Sequence, residues 1–218
     1  MTIRRTLQAI ALATAVSLGA SALPADAAPR TAVVPAVTRL GNDLLAVTAN
    51  DALELWSAYA ASLDEKSLDQ FDYARDPVAA EVAARLELDP ALVQDAWAAA
   101  DRPHQLTVLA AITQLGTPYR GYKRIPGVGF DCSGLTSWAW SQVGVEIPRN
   151  SRNQIRAAVA VQRGAQQPGD LVYYPGHVMM SLGVGDAIIH SPTWGRTVEL
   201  GFVAKYRAKH ARFGNPLG

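Results

Sequence analysis

Apolar residues recur at helical spacing in the first half of the chain and collect into short runs in the second half. Helical spacing predicts an amphipathic helix through Ala52, Trp56, Tyr59, Ala60 and Leu63. The later runs are separated by Gly, Pro or Asp, which is typical of strands. They predict strands at 171–174, 177–182, 187–190 and 197–200, with a further candidate at 203–206. Helices followed by short strands indicate an α+β fold with an antiparallel sheet.

Capping residues mark where further helices begin. Asp76-Pro77 and Asp89-Pro90 each place an N-capping Asp before a Pro that suits the first turn. They predict a helical hairpin, with helices over about 77–87 and 90–100. Three more helices are predicted: from 103 to 115, from Cys132 to a stop at Gly144, and from Ser151, which opens a capping-box pattern.

The first residues have the pattern of an export signal. Arg4 and Arg5 precede an apolar run at 9–22, which is shorter than the roughly 20 residues that a membrane-spanning helix needs. Ala25-Asp26-Ala27 then provides the small-x-small pattern of a signal-peptidase site. We therefore expect a signal peptide at 1–27, a tether at 28–38 and no integral membrane segment in the mature chain. An uncleaved anchor or a buried helix is the alternative.

The composition suits a folded protein and gives no sign of a nucleic-acid partner. Of 218 residues, 49% are hydrophobic and 18% are charged, with a net charge of +1. This total hides an uneven distribution. Residues 28–104 carry 6 basic and 13 acidic side chains, whereas residues 105–218 carry 12 basic and 5 acidic ones. The two parts therefore have net charges of −7 and +7.

Opposite charges on two parts of one chain can favour contact between them. We expect an acidic helical region at 39–101 to dock against a basic domain at 102–218 and to restrain it. The alternative is that the helices are spacers with solvated charges. A DNA-binding helix-turn-helix is disfavoured because the predicted helical hairpin is acidic.

Cys132 is the single cysteine of the sequence, which excludes an intramolecular disulfide and a cysteine-rich zinc module. A lone cysteine is either an inert buried thiol or a reactive one. Because Cys132 falls in the first turn of a predicted helix, we expect the partial positive charge there to lower the thiol pKa.

Two histidines fall at the ends of predicted neighbouring strands. His177 opens one strand and His190 closes the next, and a two-residue turn at Gly183-Val184 would pair them directly. Cys132, His177 and His190 would then supply a nucleophile, a base and an orienting group. Two other interpretations of these three residues stay open. They are ordinary core residues, or they bind zinc at a site that lacks an obvious fourth ligand.

Six short motifs between about 105 and 218 resemble, in order and spacing, the NlpC-type family of bacterial cell-wall cysteine peptidases. The motifs are Gly116-Thr117-Pro118-Tyr119, Gly129-Phe130-Asp131-Cys132-Ser133-Gly134-Leu135, Ile147-Pro148-Arg149-Asn150-Ser151 with Gln154, Pro168-Gly169-Asp170-Leu171-Val172-Tyr173-Tyr174, Gly176-His177-Val178 and Ile189-His190-Ser191-Pro192. The resemblance implies a papain-like domain at 102–218. It also implies a secreted enzyme of the periplasm or cell wall that needs no metal or organic cofactor.

The resemblance further implies hydrolysis of peptidoglycan stem peptides between D-γ-glutamyl and a diamino acid such as meso-diaminopimelate. Cys132 matches the nucleophile, His177 the general base and acid, and His190 the orienting residue. Tyr119 matches a tyrosine near the thiol that assists the oxyanion beside the backbone N–H of Cys132. Asp131 and Ser133 match substrate-contacting positions, with helix capping as the alternative. Two other functions stay open: a thiol-dependent N-acetylmuramoyl-L-alanine amidase and a non-catalytic wall-binding module.

Overall fold

The computed structural model describes residues 43–218. The predicted signal peptide at 1–27, the tether at 28–38 and the start of the helical region lie outside the described residues. The elements are α1 (Leu44–Ser62), α2 (Glu65–Arg85), α3 (Pro90–Ala99), α4 (Arg102–Ile112), β1 (Arg124–Ile125), β2 (Gly129–Phe130), α5 (Cys132–Ser141), α6 (Ser151–Ala157), β3 (Val159–Val161), β4 (Pro168–Tyr174), β5 (His177–Leu182), β6 (Ala187–His190), β7 (Glu199–Phe202), α7 (Lys205–Ala208) and β8 (Arg212–Asn215). The α+β prediction is confirmed.

Six strands form one antiparallel sheet in the order β3-β8-β4-β5-β6-β7, and β1 pairs with β2 separately. Side chains alternate between the two faces of the sheet. Met180, Leu182 and Ile189 belong to the large hydrophobic cluster that includes helices α1 to α5. Met179 and Ile188 point to the opposite face, where they join a smaller cluster with Phe213. The sheet therefore has an inner face under the helices and an outer face.

The N-terminal helices α1 to α3 share the large hydrophobic cluster with α4, α5 and the inner face of the sheet. Trp97 of α3 is fully buried, and its indole Nε1–H donates to the carbonyl of Leu182 at 3.0 Å. Arg102 of α4 reaches back to Asp72 of α2 at 2.6 Å. Among residues 43–218, no helix has the length and apolar character needed to cross a membrane.

One predicted helix start is wrong. Asp76-Pro77 does not begin a helix but lies inside α2, which runs unbroken from Glu65 to Arg85. Buried apolar residues, Phe71 and Val78 among them, lie on both sides of this point, so packing outweighs the cost of a Pro in a helix. At the second site the prediction is confirmed, because Asp89 caps α3 and Pro90 is its first residue.

The strand predictions are confirmed in part. The strand at 197–200 begins later, as β7 from Glu199, and the candidate at 203–206 is wrong because the short helix α7 occupies Lys205–Ala208. No residue of α7 is buried, so the alternating apolar residues that suggested a strand do not pack against a core there. The edge strand β3 and the inner strand β8 were not predicted from the sequence.

His104 joins α4 to the sheet. Its side chain is fully buried, with Nδ1 2.7 Å from Asp101 and Nε2 3.1 Å from Asp170 of β4. Burial alone would lower the pKa of His104, but the hydrogen bonds to Asp170 and Asp101 outweigh it and the pKa is raised. Asp170 of the Pro168-Gly169-Asp170 motif is thus hydrogen-bonded to His104, away from Cys132.

Candidate active site

Cys132 is the first residue of α5, and the start of this helix is held by several contacts. Asp131 is the N-cap, and its Oδ1 accepts from the backbone N–H of Gly134 at 2.6 Å. Arg149 donates to both carboxylate oxygens of Asp131, at 2.9 and 2.8 Å. Position 134 requires glycine because a Cβ there would lie 2.1 Å from the carbonyl oxygen of Lys123. These contacts hold the thiol in a defined place.

The thiol of Cys132 is partly buried against an apolar cluster on the sheet, formed by Ile155, Leu171, Tyr173 and Val178. Burial raises the pKa of this thiol, and the negative charge of Asp131 raises it further. Backbone N–H groups of Val178, Ser133 and Cys132 favour the thiolate but do not outweigh these effects. The expectation of a lowered thiol pKa is therefore wrong for the resting protein, which carries a neutral thiol.

His177 and His190 are in direct contact. Nε2 of His177 lies 2.8 Å from Nδ1 of His190. Burial lowers the pKa of His177 to about 4. Burial, the neighbouring His177 and the charge of Arg196 lower the pKa of His190 to about 3. Both rings are therefore neutral at pH 7, and Nδ1 of His177 is the ring nitrogen that His190 leaves free.

The sulfur of Cys132 lies at the start of β5, the strand that His177 opens. The backbone N–H that hydrogen-bonds to it comes from Val178, the residue that follows His177. The structure thus brings all three predicted residues to one end of the sheet, on α5, β5 and β6.

The predicted two-residue turn between β5 and β6 is wrong. Met180 pairs with Ile189 and Ser181 with Ile188, so four residues, 183–186, connect the strands. The register differs by two residues from the one that a two-residue turn requires. Because side chains alternate with a period of two, His177 and His190 still lie on the same face, as diagonal neighbours.

Glu199 extends this contact and was not identified from the sequence. It lies directly opposite His190 in the β6–β7 pairing, with Oε1 3.4 Å from His190 Nε2. Arg196 in turn binds Glu199, its Nε donating to Oε2 at 3.1 Å. The sequence placed Glu199 in the predicted strand at 197–200. It did not show which residue would lie opposite Glu199, because the loop at 191–198 leaves the pairing of that strand with β6 undetermined.

Tyr119 lies near the thiol. Its backbone N–H donates to the carbonyl of Arg196 at 2.8 Å, and its ring packs edge-on against Trp194. Burial raises the pKa of Tyr119, and the charges of Cys132 and Asp131 raise it further. The phenol is therefore a neutral hydrogen-bond donor at neutral pH.

Asp131 and Ser133 are engaged within the protein. Ser133 Oγ lies 3.2 Å from Asp131 Oδ1 and accepts a hydrogen bond from Arg149 at 2.9 Å. Gln154 of α6 donates to the backbone carbonyl of Ser133 at 2.9 Å and accepts from Thr136. The capping role of Asp131 is thus present, and α6 is tied to the first turn of α5.

A cavity of about 510 Å³ opens beside the histidine pair on the outer face of the sheet. His177, His190, Glu199, Arg196, Tyr174 and Tyr206 are among its lining residues. Within residues 43–218, no three His, Cys, Asp or Glu side chains are grouped as ligands of a metal ion. The arrangement offers a thiol at one end of the sheet, a neutral imidazole whose second nitrogen is held by its neighbour, and an open space beside the two imidazoles, with Cys132 outside the lining of that space.

Comparison with known proteins gives three informative relatives. A "Probable endopeptidase" of Corynebacterium glutamicum is 35% identical over 182 residues, covering 82% of this chain and 81% of the relative. The "Peptidoglycan endopeptidase RipB" of Mycobacterium tuberculosis is 36% identical over 108 residues, 42% of this chain and 45% of RipB. The "Gamma-D-glutamyl-L-lysine dipeptidyl-peptidase" of Bacillus cereus is 38% identical over 106 residues, 42% of this chain and 31% of that protein.

The NlpC/P60 family profile matches residues 116–211, which contain Cys132, both histidines and Glu199. The match to the C. glutamicum protein is longer than this segment, and its extent requires that it include the N-terminal helices. The likeness is therefore not confined to the segment that carries the site. On the family profile and this relative together, the chain belongs to the NlpC/P60 family.

Proposed function

We propose that the protein is a secreted cysteine endopeptidase that hydrolyses peptide bonds in peptidoglycan stem peptides. The observation that carries the proposal is the 2.8 Å contact between His177 and His190 at the end of the sheet where the backbone N–H of Val178, the residue after His177, hydrogen-bonds to the sulfur of Cys132. The scissile bond we propose joins D-γ-glutamyl to a diamino acid. The name of the B. cereus relative, a γ-D-glutamyl-L-lysine dipeptidyl-peptidase, supports this choice.

The hydrogen-bond partners of the two rings favour one arrangement of protons. A carboxylate can only accept, so Glu199 favours a proton on Nε2 of His190. Nδ1 of His190 then accepts from Nε2–H of His177. His177 is left with an unprotonated Nδ1, which is the form that a general base needs.

The reaction follows from this arrangement. Nδ1 of His177 takes the thiol proton as the sulfur of Cys132 attacks the peptide carbonyl. The backbone N–H of Cys132 and the phenol of Tyr119 stabilise the oxyanion. The imidazolium of His177 then protonates the leaving amine, which leaves a thioester. His177 next deprotonates a water that hydrolyses the thioester and restores the thiol. Asp131 and Ser133 are proposed to contact the substrate as well as to cap α5.

The lowered pKa of His177 predicts activity that persists at acidic pH. With a pKa of about 4, roughly nine tenths of His177 is in the basic form at pH 5. An ordinary histidine would be only about 3% basic there. We expect kcat/KM on a soluble muropeptide to change less than about twofold between pH 7 and pH 5. A half-loss near pH 6.5, with circular dichroism showing an intact fold, would contradict the prediction.

Digestion of purified sacculi tests the proposed function. Mass spectrometry of the products separates the candidates, since an endopeptidase releases sugar-free peptides and leaves sugars that carry a dipeptide. An amidase leaves sugars without peptide, and a binding module releases nothing. The Cys132→Ala variant is run beside the wild type. Release of complete stem peptides, or equal release by both proteins, would overturn the proposal.

We also propose that residues 39–101 form a region that docks against a catalytic domain at 102–218 and restrains it. The ion pair between Asp72 and Arg102, the hydrogen bond between Arg75 and Gln105 and the burial of Trp97 support the docking of the two parts. The export pattern and the family support a location in the periplasm or cell wall.

Asp72→Asn tests the restraint. It removes a charge from the contact with Arg102 while keeping the shape of the side chain, so we expect a two- to fivefold rise in activity at low salt, as for a partly exposed pair of about 0.5–1 kcal/mol. The rise should vanish as salt increases. Asp69→Asn, an exposed position on the same helix, is the matched control. Equal activity of the wild type and both variants at low salt would exclude restraint through this contact.

A further inference from the structure

A second depression, of about 580 Å³, lies next to the cavity beside the histidines. Four arginines, Arg152, Arg156, Arg207 and Arg212, line it, and we call it the arginine pocket. The arginine pocket and the cavity beside the histidines share Tyr174 and Pro175. The two spaces therefore meet at the turn between β4 and β5, the turn that His177 follows.

No acidic residue balances the arginine pocket. Its lining contains neither Asp nor Glu, and His210 and two tyrosines are its other ionisable residues. Within residues 43–218, none of the four arginines forms an ion pair with a carboxylate. Four guanidinium groups around one space repel each other, and a bound anion would relieve this repulsion.

The four arginines are exposed, and two of their guanidinium groups lie over aromatic rings. Arg212 lies over the ring of Tyr173 at 5.0 Å, and Arg207 over the ring of Tyr174 at 5.3 Å. Arg152 and Arg156 are four residues apart on α6, so they lie on the same side of that helix. The pocket lining thus combines two arginines that lie over aromatic rings with two that share one side of α6.

We propose that the arginine pocket binds a free carboxylate of the stem peptide whose scissile bond lies at Cys132. The inference rests on the proposed function. A γ-linked glutamyl residue keeps its α-carboxylate, and diaminopimelate keeps a carboxylate beyond the one in the peptide chain. Guanidinium groups match the geometry of a carboxylate through paired hydrogen bonds. The arginine pocket adjoins the histidine-lined cavity at Tyr174, and Cys132 packs against the cluster that contains Tyr173 of the pocket lining. This closeness favours the substrate's own carboxylate over a separate anionic polymer.

A set of matched substrates tests the proposal. One is a soluble muropeptide with free carboxylates, and the others carry each carboxylate amidated in turn. Because a hydrogen bond to a charged group contributes about 1.5–3 kcal/mol, we expect wild-type kcat/KM to fall about 10- to 100-fold on one amidated substrate. The double variant Arg152→Gln with Arg207→Gln should lose this preference, mainly through KM, and should cleave that amidated substrate as the wild type does.

Lys66→Gln, which removes one positive charge from the remote helix α2, is the control for net charge and should keep the preference. Equal wild-type cleavage of acid and amide, or an equal loss on both in the double variant, would overturn the proposal. A double variant that keeps the preference but loses binding to a phosphodiester polymer would also overturn it, in favour of a polymer site.

A binding measurement keeps this proposal separate from the proposed hydrolysis. Calorimetry with the Cys132→Ala variant needs no turnover, and the free-acid muropeptide should bind about tenfold more tightly than the amidated one. Adding Arg152→Gln and Arg207→Gln should remove the difference. If the wild type cleaves nothing, the proposed function fails, while this comparison still decides whether the pocket selects a carboxylate.

Discussion

Replacing Cys132 by alanine is expected to abolish hydrolysis, lowering kcat by at least about 10⁴-fold, because the attacking atom is removed. The fold should persist, since Asp131 still caps α5 through the backbone N–H of Gly134. The measurement is release of peptides from sacculi beside a thermal melt of each protein. Iodoacetamide should inactivate the wild type, and the rate of inactivation should keep rising above pH 9, because burial raises the thiol pKa from its ordinary value of 9.0.

Ser141→Ala is the matched control for Cys132→Ala. It also replaces a small polar side chain of α5, but at the far end of the helix, where Ser141 Oγ donates to the carbonyl of Trp138. We expect activity within about twofold of the wild type, because the two part-buried hydrogen bonds that Ser141 Oγ makes, to the carbonyl of Trp138 and from Gln142, each change stability by only about 1 kcal/mol and lie away from Cys132. Hydrolysis of sacculi by Cys132→Ala at the wild-type rate would contradict the proposed mechanism.

The two histidines are expected to differ in how much activity depends on them. His177→Ala removes the group that moves the proton and should lower kcat by at least about 10⁴-fold. His190→Gln should retain a measurable part, with a smaller loss than His177→Ala, because an orienting group sets the tautomer and position of the ring but does not itself transfer the proton. The amide oxygen of the glutamine can still accept from Nε2–H of His177, so the basic nitrogen stays the same.

A third variant separates orientation from simple packing. His190→Leu fills the same space but offers no acceptor to His177, so its activity should lie between those of His190→Gln and His177→Ala. Thermal melts should show all three variants folded. The assignment of roles fails if His190→Gln is as inactive as His177→Ala, or if His177→Ala remains active.

Local chemistry made the start of α5 predictable. Asp131 before Cys132 is a capping signal that depends on adjacent residues alone, and the structure has it. The histidine pair was predicted from strand positions despite the wrong turn, because an even change in register leaves both side chains on one face. Predictions that depend only on adjacent residues, or on the two-residue alternation of side chains along a strand, stay correct even when the prediction of a turn is wrong.

Features that depend on distant segments were missed. The thiol pKa depends on burial against Leu171 and Val178, which no local signal at Cys132 reports. Glu199 meets His190 only through the β6–β7 pairing, across a loop of eight residues. The arginine pocket likewise combines α6, α7 and β8, and β8 was not predicted at all.

The neutral, partly buried thiol also bears on how long the protein can work in an oxidising environment. Peroxides and other oxidants react with thiolates rather than thiols, so a raised pKa slows oxidation of Cys132 at neutral pH. The sequence has no second cysteine that could trap a sulfenic acid as a reducible disulfide. A neutral thiol therefore protects a side chain for which this sequence supplies no resolving cysteine.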